Sequence, residues 1–186
     1  MHPALSNVLA RLERSRAALR DAIARVPPHL RDQPPASDRW SAAGVLEHLA
    51  LVDERSIGTL GSKIAEARAS LPPEEGDPAL LPPNLEAMLT DRTERRQAPA
   101  PLHPSGLRCD EAWARAEASR AAFVDLITAA DGLALSRVIH EHQRFGALNV
   151  YQWAGFLAAH ESRHAAQLLE IASQLDRDPA GAAPRA

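Results

Sequence analysis

Four stretches of the chain repeat apolar residues at steps of three and four, and this periodicity limits the possible folds more than any other feature. In the first stretch, about residues 3–26, one apolar stripe is formed by Leu5, Val8, Leu9, Leu12, Leu19 and Ile23. Such a stripe is typical of an amphipathic α-helix, and Pro27-Pro28 ends it because proline lacks an amide hydrogen. We therefore predict a first helix that buries one side.

The next two periodic stretches predict two further amphipathic helices. One begins at Ser41, whose hydroxyl is a suitable N-cap, and extends to about residue 69. Its inward face is predicted to carry Val45, His48, Leu49, Val52, Ile57, Leu60 and Ile64. The other extends over about 110–130 and ends at Asp131-Gly132, where glycine allows the left-handed conformation that often terminates a helix.

The fourth helix is predicted over about 148–175, after an irregular linker at 135–149. The connection before the third helix, residues 70–108, holds eight of the fifteen prolines and leaves room for a short helix at 84–97. Four long helices with one long crossover predict an all-α four-helix bundle. We predict a single domain over residues 1–176, followed by a disordered tail over 177–186.

Composition and charge exclude several classes of function. The net charge is −3, and the basic residues are interleaved with acidic ones, so no nucleic-acid partner is expected. Cys109 is the only cysteine, which excludes an internal disulfide, and we interpret it as structural. No apolar run could span a bilayer, and the N-terminus lacks the apolar core of a signal peptide. We predict a soluble cytoplasmic protein with no membrane contact.

The fourth helix carries a pair of histidines suited to metal binding. Residues 160–164 spell H-E-x-x-H, and both histidines share the apolar face of the helix. Residues four apart on a helix have Cβ atoms about 5–6 Å from each other, so His160 and His164 can bind one ion. The alternative is a pair of core histidines that are hydrogen-bonded to their neighbours. His48, on the inward face of the second helix, is the candidate third ligand. Three imidazoles would leave coordination positions open, as in catalytic sites.

The same five residues also match the motif of zinc peptidases. Such an enzyme needs a further ligand after His164, yet no histidine follows, and Glu170 is predicted to point elsewhere. No strand is predicted before this helix to hold a peptide substrate. A peptidase is therefore the least favoured interpretation. Glu161 stays a candidate general base. It could equally be a partner that supports a metal ligand, and a solvated surface glutamate is the ordinary alternative.

Four further residues are candidates for contact with a substrate. His140 and His142 would share one face of an extended segment near the mouth of the bundle, where surface histidines are the ordinary alternative. Gln167 extends the row of metal-binding histidines by nearly one turn and could bind a water on the metal, or simply satisfy a backbone group. Arg163 is interpreted as solvated, although it could meet an anionic substrate. We predict His142 and Gln167 as substrate-binding residues.

Two blocks of sequence resemble the DinB-like superfamily. They are "WSAAGVLEHLA" at 40–50 and "FGALNVYQWAGFLAAHESRHAAQL" at 145–168, and the resemblance extends from the first helix to about residue 174. It implies an up-up-down-down type of four-helix bundle that is frequently dimeric. It also implies a divalent metal, zinc or nickel, held by His48, His160 and His164. Family members often have His-Pro before the Phe-Gly turn, where this chain has His142-Gln143.

The resemblance also implies a range of activities. Known members include thiol-dependent transferases that use mycothiol or bacillithiol, maleylpyruvate isomerases and metal-dependent hydrolases. By this resemblance the chain is a metal-dependent hydrolase, or a transferase that uses a low-molecular-weight thiol, and it acts on a small molecule. The alternative is a non-catalytic bundle for dimerisation or ligand sensing, in which the metal is structural or absent.

Overall fold

Four long helices form the frame of the molecule. The computed structural model describes residues 1–177. The long helices are α1 (Pro3–Ala24), α2 (Ala42–Ala67), α4 (Cys109–Thr128) and α5 (Val150–Arg177), with a short α3 (Pro83–Thr90) between α2 and α4. A hairpin of β1 (Ile139–His142) and β2 (Gly146–Asn149) precedes α5. The prediction of an all-α bundle is confirmed, whereas α3 is shorter than the predicted 84–97.

Local capping explains where the helices begin and end. The Ser41 hydroxyl accepts a hydrogen bond from the Gly44 amide at 3.1 Å, as predicted for the start of α2. At the start of α5, the Asn149 and Gln152 side chains each accept the other's backbone amide hydrogen, at 2.8 and 2.9 Å. After α4 the chain turns through Gly132, whose φ of 85° favours glycine.

The direction of the helices follows from the two halves of the core. One apolar cluster joins the start of α1 and of α5 to the end of α2 and of α4. The other joins the opposite ends of the same four helices. Helices α1 and α5 therefore run in one direction, and α2 and α4 run in the other. The chain order is up-down-down-up, so the up-up-down-down order implied by the family resemblance is wrong.

This arrangement requires the long crossover that the sequence predicted. Because α2 and α4 run in the same direction, residues 68–108 must return along the whole length of the bundle before α4 begins. On the way, α3 packs against α5, and Leu81 and Leu89 enter the core. The carboxylate of buried Glu47, on α2, fixes the far end of the crossover by accepting hydrogen bonds from Ser105, Gly106 and Leu107.

The segment interpreted as an irregular linker contains the hairpin instead. Its antiparallel strands pair from Ile139 with Asn149 to His142 with Gly146. Gly146 has a φ of 71°, which lets the chain turn tightly into β2. The Trp153 indole donates a hydrogen bond of 3.2 Å to the His140 carbonyl oxygen, and this bond ties the hairpin to α5. The expectation that no strand precedes the last helix is therefore wrong.

The remaining structural expectations concern the chain end, the cysteine and the membrane. Arg177, the first residue of the predicted tail, is the last residue of α5, and 178–186 lie outside the described residues. Cys109 is buried at the start of α4, and burial raises the pKa of its thiol, which agrees with a structural role. Within residues 1–177, no helix combines the length and apolar character that crossing a membrane requires.

Candidate metal centre

The structure brings together the three histidines that the sequence proposed as ligands. His48 comes from α2, and His160 and His164 come from successive turns of α5. The Nε2 atom of His160 lies 3.4 Å from Nε2 of His48 and 3.2 Å from Nε2 of His164. One ring nitrogen from each of the three residues lies within 4.8 Å of the others. Three imidazole nitrogens therefore converge on one point between two helices.

Hydrogen bonds on the opposite side of two of these rings hold them in place. The Nδ1 atom of His48 lies 2.8 Å from the Leu102 carbonyl oxygen, and Nδ1 of His164 lies 2.8 Å from the Gln167 side-chain oxygen. Both acceptors require a proton on Nδ1, which leaves the Nε2 lone pair free. This is the arrangement that orients metal-binding histidines in known metalloproteins.

Burial keeps the three imidazoles neutral. It lowers the pKa of His48, and it lowers the pKa values of His160 and His164 far below the ordinary value. The neighbouring histidines act in the same direction, because a second positive charge in the cluster would be repelled. Neutral imidazole is the form that binds a metal ion.

The spacing of the nitrogens fits a tetrahedral metal ion. Two nitrogen ligands about 2.0–2.1 Å from such an ion lie roughly 3.3 Å from each other. Two of the three separations, 3.2 and 3.4 Å, bracket that value, and the third lies within 4.8 Å. The donor set of three neutral nitrogens also suits zinc, nickel and other borderline divalent ions. The residues therefore fit the metal that the sequence analysis expected.

A cavity of about 650 Å³ opens beside the histidines. All three line it, together with residues of the crossover, the hairpin and α5. Aromatic rings form part of its wall: Phe156 stacks on the His160 imidazole with 5.6 Å between ring centroids, and Trp40 lies 4.9 Å from His48. The volume lies within the range of small-molecule sites.

The hairpin places His142 in the wall of this cavity, as predicted, and His140 lines it too. The His142 ring packs between Phe145 and Phe156, with centroid distances of 4.5 and 4.7 Å. Its Nδ1 atom accepts the Arg144 amide hydrogen at 3.1 Å, so the proton of the neutral ring is on Nε2. Burial lowers the pKa of His142, which makes it a neutral donor. Its contact with a substrate stays a prediction.

Gln167 also lines the cavity, as predicted. Its side-chain oxygen accepts a hydrogen bond from His164, as described above, and this contact was not anticipated. A bond to a metal-bound water or to a backbone group was expected, and the side-chain oxygen contacts the His164 imidazole instead. Contact of Gln167 with a substrate or with a metal-bound water stays a prediction.

Glu161, the candidate general base, is placed away from the cavity. Its side chain is 0% exposed, so the alternative of a solvated surface glutamate is wrong. The carboxylate accepts a hydrogen bond of 2.5 Å from the Ser15 hydroxyl and pairs with Arg16 and Arg120 at 2.8 and 3.3 Å. Burial raises the pKa of Glu161, against the opposing effect of the two arginines. Because it does not line the cavity and is held by α1 and α4, its placement argues against a role as base.

The cavity contains a set of charged residues of which only Arg163 was considered from the sequence. Seven arginines line it, against two acidic residues, Asp38 and Glu141. Arg163 is among the seven and is 6% exposed, so the expectation of a solvated side chain is wrong. The seven are Arg39, Arg55, Arg92, Arg95, Arg96, Arg144 and Arg163.

The bundle and the histidine centre together define a class: a helical protein with a candidate metal site that opens to a small-molecule cavity. Comparison of the sequence with protein families identifies the class more closely. The model of the DinB superfamily matches residues 11–168, which is most of the chain. The chain therefore belongs to the DinB superfamily, as the sequence resemblance indicated.

One similar protein is YuaE of Bacillus subtilis (strain 168), which is described as uncharacterised. The two are 27% identical over 148 residues, which cover 78% of this chain and 85% of the relative. No solved structure matches the chain significantly. Neither the family's description nor that of the relative names a reaction.

Proposed function

We propose that the protein is a metal-dependent enzyme that acts on a small molecule, either as a hydrolase or as a thiol-dependent transferase. The observation that carries this proposal is the opening of the three-histidine cluster onto a cavity of about 650 Å³. A metal used only for structure is normally enclosed by four protein ligands. Within residues 1–177, the cluster offers three, and the cavity lies on the remaining side.

The residues of the site have distinct tasks in this proposal. His48, His160 and His164 hold a divalent ion, zinc or nickel by the chemistry of the donors. When bound, such an ion lowers the pKa of a coordinated water or thiol and so supplies a nucleophile near neutral pH. Leu102 and Gln167 keep two of the rings oriented. His142 offers an Nε2 proton at the cavity wall.

The hydrolase and the transferase differ in what enters the cavity beside the substrate. A hydrolase needs only water, whereas a transferase of the kind known in this superfamily needs a low-molecular-weight thiol such as mycothiol or bacillithiol. The cavity volume can accept both a small substrate and a thiol. Cys109 does not line the cavity, so a thiol nucleophile would have to come from solution.

The peptidase interpretation gains no support from the site. The third histidine comes from α2, far earlier in the chain than a zinc peptidase requires. A hairpin does precede α5, and within residues 1–177 its two strands pair with each other. Glu161, the residue that would act as base, is bound to arginines outside the cavity.

Metal titration of four single variants tests the proposal. Wild type is expected to bind one zinc ion, and H48A, H160A and H164A are each expected to lose that ion or bind it far more weakly. H29A is the matched control, because His29 is exposed and lies outside the cavity. Zinc and nickel are compared by equilibrium dialysis with elemental analysis.

Unchanged stoichiometry and affinity in H160A and H164A would contradict the metal assignment. If metal binding follows the expectation, the loaded protein is assayed with ester and amide substrates, with and without an added thiol. Turnover that disappears in H160A and survives in H29A supports an enzyme. Full metal binding without turnover of any substrate tried would favour the non-catalytic bundle.

A further inference from the structure

The charge of the cavity differs from that of the whole molecule. Seven of its lining residues are arginines and two are acidic, whereas the complete chain has a net charge of −3. Positive side chains are therefore concentrated around the histidine centre. A cleft lined by one sign of charge attracts ligands of the opposite sign.

Only some of these arginines are neutralised by the protein. Arg95 pairs with Asp38 at 2.7 Å, and Arg92 and Arg39 both approach the Glu170 carboxylate. The other four have no carboxylate within 4.0 Å in the part of the chain that the structure describes. These four are Arg55, Arg96, Arg144 and Arg163.

Arg163 is the most deeply buried member of this group. It is 6% exposed, and its Nη2 donates a hydrogen bond of 2.9 Å to the Glu94 carbonyl oxygen. Its Nη1 atom is buried and has no hydrogen-bond partner among residues 1–177. Arg96 is arranged similarly: Nη2 donates to the Met88 carbonyl oxygen at 2.8 Å, while Nε is buried and unpartnered.

A buried guanidinium with unused donors is unfavourable unless a ligand completes its hydrogen bonds. The carboxylates that act on Arg163 are those of Asp91 and Glu170. These two carboxylates already have partners, since Asp91 is bound by Thr93 and Glu170 by Arg92. The cluster therefore has an excess of positive charge.

We propose that Arg163 and Arg96 form a subsite that binds an anionic group of the substrate, a carboxylate or a phosphate, beside the histidine centre. Arg163 precedes His164 on α5 and lines the same cavity. Guanidinium groups bind both kinds of oxyanion through paired hydrogen bonds. The aromatic wall, which includes Phe156 and Trp153, suits an apolar portion of the same ligand. The inference rests on the proposed function, because it names the substrate class of that site.

Calorimetric titration with two small aromatic anions tests the subsite. Benzoate and phenyl phosphate are titrated into the full-length zinc-loaded protein and into the chelator-treated protein, with benzyl alcohol as the neutral comparison. Wild type is expected to bind at least one anion and not the alcohol. R163Q and R96Q are each expected to bind that anion about tenfold more weakly or worse. R14Q is the matched control, because Arg14 is exposed on α1 outside the cavity and its replacement removes the same charge.

Each outcome decides for or against the subsite. If wild type binds one of the two anions more tightly and R163Q loses that preference, the subsite is supported and the preferred anion is identified. Failure of both anions to bind wild type, a change of less than about twofold in both R163Q and R96Q, or an equal loss in R14Q overturns it. Circular dichroism checks that R163Q folds. If it does not, R96Q decides, because Arg96 is only partly buried on the crossover.

Zinc binding by H160A and H164A, measured beside the anion titrations, separates this inference from the proposed function. If anion binding depends on Arg163 but H160A and H164A bind zinc like wild type, the metal assignment fails and the anion subsite stands. If zinc binding follows the expectation and no anion binds, the subsite fails and the metal centre stands.

Discussion

Single hydrogen bonds determine which nitrogen two of the three histidines present to the centre. The carbonyl oxygen of Leu102 and the amide oxygen of Gln167 can only accept, so each holds a proton on the Nδ1 atom that it contacts. The Nε2 atoms of His48 and His164 then face the point where the three rings converge. Leu102 belongs to the crossover, so the conformation of that segment affects the metal centre directly.

At this scale, replacement of Gln167 is expected to weaken metal binding without removing a ligand. Q167A leaves the Nδ1 proton of His164 without its acceptor, and the ring is then free to rotate. Loss of such a partner typically costs 10–100-fold in metal affinity, so we expect roughly tenfold or more. A zinc competition titration measures it. Q174A is the control, since Gln174 is exposed on the same helix. Equal zinc affinity in Q167A and wild type would show that the hydrogen bond between Gln167 and His164 does not affect metal binding.

Glu161 shows which features of a residue's surroundings can be predicted from the periodicity of its own helix. The spacing correctly separates Glu161 from the row of His160 and His164. It does not reveal that α1 packs on that other side of α5, where Arg16 of α1 and Arg120 of α4 enclose the carboxylate. Whether a polar residue outside the apolar stripe is solvated depends on which other helices pack beside it. The periodicity of a single helix gives no information about those neighbours.

The elements differ in how strongly their own sequences specify them. The long helices follow from apolar periodicity with caps and breakers, and their predicted ends lie within a few residues of the observed ones. The hairpin has only four residues in each strand, and in β1 the exposed Ile139 and Glu141 alternate with two partly buried histidines. Such a segment lacks the apolar alternation that identifies strands. The hairpin is specified by Gly146 and by packing against Trp153.

The close contact between α5 and the crossover gives a test at the scale of elements. A Cβ atom at Gly155 would lie 2.8 Å from the Leu81 Cβ atom, closer than non-bonded carbons approach. We expect G155A to lower the free energy of unfolding by about 1–3 kcal/mol through overpacking, in spite of the better helix propensity of alanine. Denaturant unfolding measures this change.

The matched variant for that test is G58A. Gly58 is also helical, but it is exposed, and a Cβ atom there meets nothing within 4 Å. Only helix propensity changes, so G58A is expected to raise the free energy of unfolding by about 0.5–1 kcal/mol. The two substitutions should therefore have opposite signs. If G155A is as stable as G58A, the crossover does not pack closely on α5 in solution.

At the scale of the whole molecule, the site is assembled from parts that are distant in sequence. The ligands come from α2 and α5, and the unpaired arginines come from α2, the crossover, the hairpin turn and α5. The histidine triad could be anticipated because each member lies on a recognisable apolar face. The arginine cluster could not, because each arginine is near acidic residues in sequence, and only the tertiary fold separates the charges. Charge excess in a cavity is a property of the assembled chain.

Because the three histidines join the second helix to the last one, metal binding should stabilise the entire domain. An ion that binds only the folded chain adds about 2.7 kcal/mol when its free concentration is 100 times Kd. For a protein of this size that is a rise in Tm of about 5–10 °C. Differential scanning calorimetry with zinc and after chelation measures it. H29A should keep the rise. H48A should lose most of it because His48 is the member of the triad on α2, and H164A should lose most of it because one of the two α5 nitrogens is removed and the ion binds more weakly. The contradicting outcome is an equal Tm of wild type with and without zinc, under conditions where dialysis shows zinc bound. It would mean that the folded and unfolded chains bind zinc equally. A preformed cluster of three buried nitrogens does not allow that equality.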